Sequence, residues 1–213
     1  MPSFSDMIVR STIALVVWGA VFSANAGLDL TPAVSEYVAE GMKFQQLTFR
    51  SDKQRIEYEL PHGWSFDGNS TALHLKPPRK NFAEAVVEAE PLSKPQPLDE
   101  NVRKILEQRL IANLPAGSQL VKIEQEIESP VLLNGNRTFE VILSYQMMGE
   151  KFIRSALFAN LADVQLTFRL TARKDDFDPL HQEFRASILS WHPVETTEAP
   201  KQVASAAVST PSR

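Results

Sequence analysis

Apolar and polar residues alternate with a period of two along much of the chain, the pattern of strands with one buried face. Leu47 and Phe49 alternate with polar neighbours, and Ile56, Tyr58 and Leu60 do the same beyond Ser51-Asp52-Lys53, which predicts a hairpin. Pro61-His62-Gly63 ends its second strand. Leu73 and Leu75 predict a short strand closed by Pro77-Pro78, and Ala83, Ala85, Val87 and Ala89 predict another that stops at Pro91. Pro91, Pro95 and Pro97 then stiffen a connector. Upstream, Thr31-Pro32, the run Ala33 to Glu40 and Gly41 read as a short helix. Threonine suits the cap, proline the first helical position and glycine the left-handed residue past the end.

The period changes to 3.6 at Asp99 to Leu114, where Val102, Ile105, Leu106 and Leu110 form one stripe and Asp99 or Asn101 can cap. Val121, Ile123 and Ile127 predict a long strand with Lys122, Glu124, Glu126 and Glu128 toward water. Asn134-Gly135-Asn136 opens a three-strand meander. Its strands carry Phe139, Val141, Leu143, Tyr145 and Met147; then Lys151 to Leu161, apolar on both sides; then Val164, Leu166, Phe168 and Leu170. A closing helix spans Asp176 to Trp191 on the stripe Phe177, Leu180, Phe184, Ile188 and Trp191. Asp175, Asp176 and Asp178 crowd its positive end.

Register follows from loop length. A two-residue turn at Ala162-Asp163 pairs Leu161 with Val164, and hence Leu157 with Phe168 and Ile153 with Ala172. For Leu143 and Tyr145 to join that face, the preceding loop must be Met148-Gly149-Glu150, pairing Met147 with Lys151. Phe152, Phe158 and Ile142 then occupy the opposite face, so the central strand needs cover on both sides.

The amino terminus has a different pattern. After Arg10, an apolar run from Thr12 to Phe22 has roughly the 7–15 residues of a signal-peptide core and falls short of a bilayer span. Ala24-Asn25-Ala26 supplies small residues for a signal peptidase, so residues 1–26 read as a cleavable export signal cut between Ala26 and Gly27. Residues 27–41 are a lead-in, 42–192 a single α+β domain, and 193–213 a disordered tail rich in Ala, Ser, Thr, Val, Glu and Pro. The 213 residues, 43% hydrophobic and 23% charged, suit one globular domain.

The net charge of −4, with Lys and Arg scattered, argues against nucleic acid as a partner. The absence of cysteine excludes disulfides, thiolate catalysis, Cys-ligated zinc and a lipoprotein cysteine.

Candidate chemistry is sparse. His62, His74, His181 and His192 lack metal-ligand spacing, and Asp175, Asp176 and Asp178 lack the glycine and distal glutamate of a calcium loop, so no cofactor or metal is expected. There is no Gly-x-Ser-x-Gly elbow and no phosphate loop. Trp64 is a candidate ligand platform or a lid on the end of a sheet. Arg154, Arg169 and Arg173 fall on one side of the last hairpin and form the cluster to test for binding an anionic patch on a partner.

Leu60-Pro61-His62-Gly63-Trp64, the strand NGNRTFEVILSY over 134–145 and a last helix ending FRASILSWH over 184–192 resemble, in that order, the PsbP-like family, which includes DcrB-type proteins. The resemblance covers about 42–192. It implies an antiparallel sheet flanked by helices, an α/β/α sandwich, and a binding, assembly or stabilising role rather than a reaction. The expectation is therefore a non-catalytic factor exported to a periplasmic or extracellular space, in a bacterial envelope, and acting on an envelope or membrane-associated protein. The alternatives are a small-molecule or lipid carrier with a cleft between sheet and helix, and a hydrolase with a dispersed site.

Overall fold

The computed structural model describes residues 27–39, 41–51 and 54–194. The predicted export signal over 1–26 and the tail from 195 onward lie outside the described residues. The elements in order are β1 (Asp29–Ala39), β2 (Met42–Arg50), β3 (Arg55–Glu59), β4 (Ser65–Gly68), β5 (Ala72–Lys76), β6 (Glu84–Pro91), α1 (Glu100–Ala112), β7 (Gln119–Leu133), β8 (Asn136–Met147), β9 (Glu150–Asn160), β10 (Val164–Arg173), α2 (Lys174–Ile188) and β11 (His192–Val194). They make a mostly antiparallel β structure with two helices. Two sheets form where one was expected: β1-β2-β3-β11, and β4-β5-β6-β10-β9-β8-β7.

The helix expected at Thr31 to Glu40 is strand β1. Ala33 to Ala39 pair residue by residue with Thr48 to Met42, and Gly41, at φ +78°, serves the hairpin rather than a helix end. Pro32 fits because the register shifts between Asp29 and Ala33, where a missing N–H costs no ladder bond. Strand β4, Ser65-Phe66-Asp67-Gly68, has no apolar alternation to reveal it. It is created by pairing with β5 across a turn in which Asn69 Oδ1 accepts from the Thr71 and Ala72 amides.

The Ala162-Asp163 register holds: Phe168 faces Leu157 and Ala172 faces Ile153. The loop before β9 is one residue shorter than expected. Met147 pairs with Glu150 across Met148-Gly149, both at positive φ, as a two-residue hairpin turn of the primed type requires. That single step moves Leu143 opposite Arg154 and Tyr145 opposite Phe152, so the face that β8 shares with Phe152 and Phe158 is the reverse of the expected one. Strand β7 also departs from its expected single face. A register shift between Ile123 and Gln125 sends Ile123 to one core and Ile127 to the other, and Val121 is exposed.

Each face of the seven-stranded sheet has a cover. On one, Val102, Leu106 and Leu110 of α1 pack on Phe139, Val141, Leu143, Tyr145, Ala156 and Phe158. On the other, Phe177, Leu180, Phe184 and Ile188 of α2 join the small sheet's Leu47, Phe49, Ile56 and Tyr58 over Ile142, Leu157 and Phe168. Trp191 ties these together, stacked on Phe49 at 5.3 Å, edge-on to Phe168 at 5.3 Å and tilted 5.8 Å from Tyr58. It follows the helix rather than ending it, and Pro193 and Val194, expected in the tail, belong to β11 and pair with β3. Among the described residues no helix is long and apolar enough to cross a membrane.

Candidate functional site

Strands β10 and β9 place Arg169 opposite Ala156 and Thr171 opposite Arg154, so the two arginines are diagonal neighbours on the α1 side of the large sheet. α1 ends beside them. Arg154, 7% exposed, donates through Nε to Thr171 Oγ1 at 2.9 Å and through Nη1 to the Asn113 carbonyl at 3.0 Å. That carbonyl belongs to the cap of α1, the negative end of the helix dipole. The guanidinium also lies 5.8 Å from the Tyr145 ring centroid. Burial, together with the like charge of Arg169, pulls the Arg154 pKa below its ordinary value. No described carboxylate forms an ion pair with it.

These groups sit in a cleft of about 680 Å3 whose other wall is the β5–β6 loop and its two strand ends, contributing Lys76, Arg79, Lys80, Phe82 and Glu84. Tyr145 and Phe152, stacked at 5.6 Å, line its floor. Some of the charge is already paired: Arg169 with Glu88 at 3.2 Å, Lys80 with Asp176 at 2.5 Å, and Glu84 with His74 at 3.0 Å. Among the described residues, Lys76, Arg79 and Arg154 have no ion-pair partner. A buried guanidinium that forms no ion pair, and feels Glu88 only beyond the Arg169 pair, is suited to hold an oxyanion.

The three predicted arginines do share a face, but only Arg154 and Arg169 enter the cleft. Arg173 lies over Phe82, 4.0 Å from the ring centroid, and 3.8 Å from Glu150. Sequence reasoning missed Lys76, Arg79 and Lys80, although three cations within Lys76-Pro77-Pro78-Arg79-Lys80 were visible as a local basic cluster. Trp64 is not brought to the arginines. It is 3% exposed, stacks 6.2 Å from Phe184 and donates Nε1 to Glu183 Oε2 at 3.1 Å, closing the end of the core against α2.

A second polar cluster is buried under α2. Glu140 Oε1 accepts from Ser155 Oγ and meets His181 Nε2, each at 2.6 Å, and Arg185 stands 3.7 Å from Oε2. Burial raises the Glu140 pKa, but the bonds to His181 and Ser155 and the nearby positive charge outweigh it and leave the group below its ordinary value. His181 is thus a partner of an acid that the sequence analysis passed over, one marked by a charge in a strand that is apolar on both faces. At the start of α2 no side chain caps the helix; Asp175 and Asp176 act on its dipole, and Asp176 also holds Lys80.

No family model and no curated protein matches the chain. Among solved structures it is similar to protein of unknown function PA94 from Pseudomonas aeruginosa, 15% identical over 76% of this chain and 99% of that one, with a TM-score of 0.47. It is also similar to cyanobacterial PsbP (CyanoP) from Synechocystis sp. PCC 6803, 14% identical over 84% of this chain and 99% of that one, again with a TM-score of 0.47. The likeness to the PsbP-like fold is weak.

Proposed function

We propose that the protein is an exported, non-catalytic binding or assembly factor that acts on an envelope or membrane-associated protein, and that the cleft around Arg154 is where it holds an anionic group. In this reading the domain is a PsbP-like α/β/α sandwich in a periplasmic or extracellular space. The observation that carries it is the buried Arg154 guanidinium, bonded to a hydroxyl and a carbonyl and to no carboxylate. A buried charge without an ionic partner is costly, and one turned toward a cleft is compensated when an anion enters. Cross-linking in intact envelopes, followed by capture of the tagged chain, tests the reading. Wild type should recover a specific protein, and Arg154→Gln with Arg169→Gln should lose it by tenfold or more. Recovery of no specific protein, or equal recovery by the double variant, overturns it.

A carrier is the second reading, favoured by the volume of the cleft. About 680 Å3 with Tyr145, Phe152 and Phe82 on its walls is within the range of small-ligand sites. Native mass spectrometry of protein purified from its host distinguishes the two, since a carrier retains ligand mass.

A further inference from the structure

We infer that the anion taken by the Arg154 cleft is the phosphate monoester headgroup of a membrane lipid, so that the cleft seats the protein on the membrane where its partner resides. This rests on the reading of the cleft as the recognition site and names what enters it.

The argument begins with the unpaired cations. Lys76 at the end of β5 and Arg79, three residues on in the loop after the two prolines, come from one wall of the cleft and Arg154 in β9 from another. A planar carboxylate is saturated by one arginine fork. Donors on two walls of the cleft suit a group with three terminal oxygens, and three cations without an ion-pair partner suit its charge of about −1.5 to −2. The only carboxylate in the lining, that of Glu84, is already engaged by His74.

The rim supplies the lipid. Phe82 lines the cleft and is 56% exposed, and Met148, beside the cleft residue Met147 at the tip of the β8–β9 turn, is 93% exposed. Large apolar side chains standing in water next to a cationic site can enter the interfacial layer when the cations take a headgroup. A soluble anion gives no role to Met148, and Phe82, already packed against Arg173, still keeps over half of its surface in water. With a net charge of −4 the molecule as a whole is repelled by an anionic surface, so attraction is confined to this face and the orientation of docking is set.

The test is co-sedimentation of the full chain with vesicles of phosphatidylcholine alone or doped with either phosphatidic acid, a monoester, or phosphatidylglycerol, a diester. Inorganic phosphate and an acidic peptide serve as competitors. Binding to phosphatidic acid should exceed binding to phosphatidylglycerol on the order of tenfold, the worth of one or two charge-assisted hydrogen bonds. Arg154→Gln should abolish that preference. Lys76→Gln with Arg79→Gln, both exposed and so safe for folding, should weaken it without unfolding the protein. Met148→Ser should reduce vesicle binding and leave affinity for inorganic phosphate unchanged. Equal binding to the two anionic lipids overturns the inference, as does binding of inorganic phosphate without vesicle binding. Competition by the acidic peptide but not by phosphate overturns it while leaving the cleft as the partner site. Failure of every anion to bind overturns both.

Discussion

Glu140 shows how one side chain can couple a helix to a sheet. Its carboxylate, 2% exposed, gathers Ser155 from β9 and His181 and Arg185 from α2. The folded pKa is lowered, so the contribution of this carboxylate to stability is complete above its unfolded value of 4.5 and is lost as pH falls through the lower folded value. Glu140→Gln should therefore cost about 2–3 kcal/mol near neutral pH, with a smaller cost in acid. Urea denaturation across that pH range measures both, and a pH-independent difference would refute the assignment. At this scale the sequence was partly legible. Arg154 and Arg169 could be placed on one face because the two-residue turn at Ala162-Asp163 fixes their register. Lys76, Arg79 and Lys80 could not be added, because their approach depends on how the β5–β6 loop folds over the sheet.

Elements were legible where local chemistry and period agree. α1, capped by Asp99 Oδ1 on the Val102 amide, and the Asn134-Gly135 hairpin are of that kind. They were hidden where tertiary pairing decides: β1 satisfies a helix signature yet pairs with β2, and β4 exists only beside β5. The β8–β9 turn was misread because Leu143 and Tyr145 were assigned to the face of Leu157 and Phe168, whereas they pack under α1; in the turn itself Met148 occupies φ +53°, a region methionine disfavours. Met148→Asn should relieve that strain and stabilise the fold by about 0.5–1 kcal/mol, seen as a higher urea midpoint with an unchanged slope. Gly149→Ala should cost about 1 kcal/mol. Its φ is +79° and a Cβ there would meet nothing within 4 Å, so the loss comes from backbone strain alone. No loss on Gly149→Ala would contradict the assigned turn.

Across the whole molecule, the large sheet has a core on each face, and Trp191 is where the small sheet meets one of them. Trp191→Ala should cost about 3–5 kcal/mol, since it vacates the space between Phe49, Tyr58 and Phe168. Thermal unfolding checks this, and a loss under about 1 kcal/mol would place the keystone elsewhere. Two layers of sheet were not legible because the alternation in β2 and β3 shows that one face is buried, and not what buries it. The pairing of β3 with β11 also orders events in time. Ile56 waits for Pro193, and the Glu59 amide for the Ser190 hydroxyl, so the small sheet cannot close until residues 190–194 have been made. Among the described strands β1 to β3 come first in the chain and are among the last to be locked, an assembly schedule that favours slow folding. A nascent chain stopped before residue 190 would expose these strands to proteases and chaperones, and one carried past Val194 would close over them.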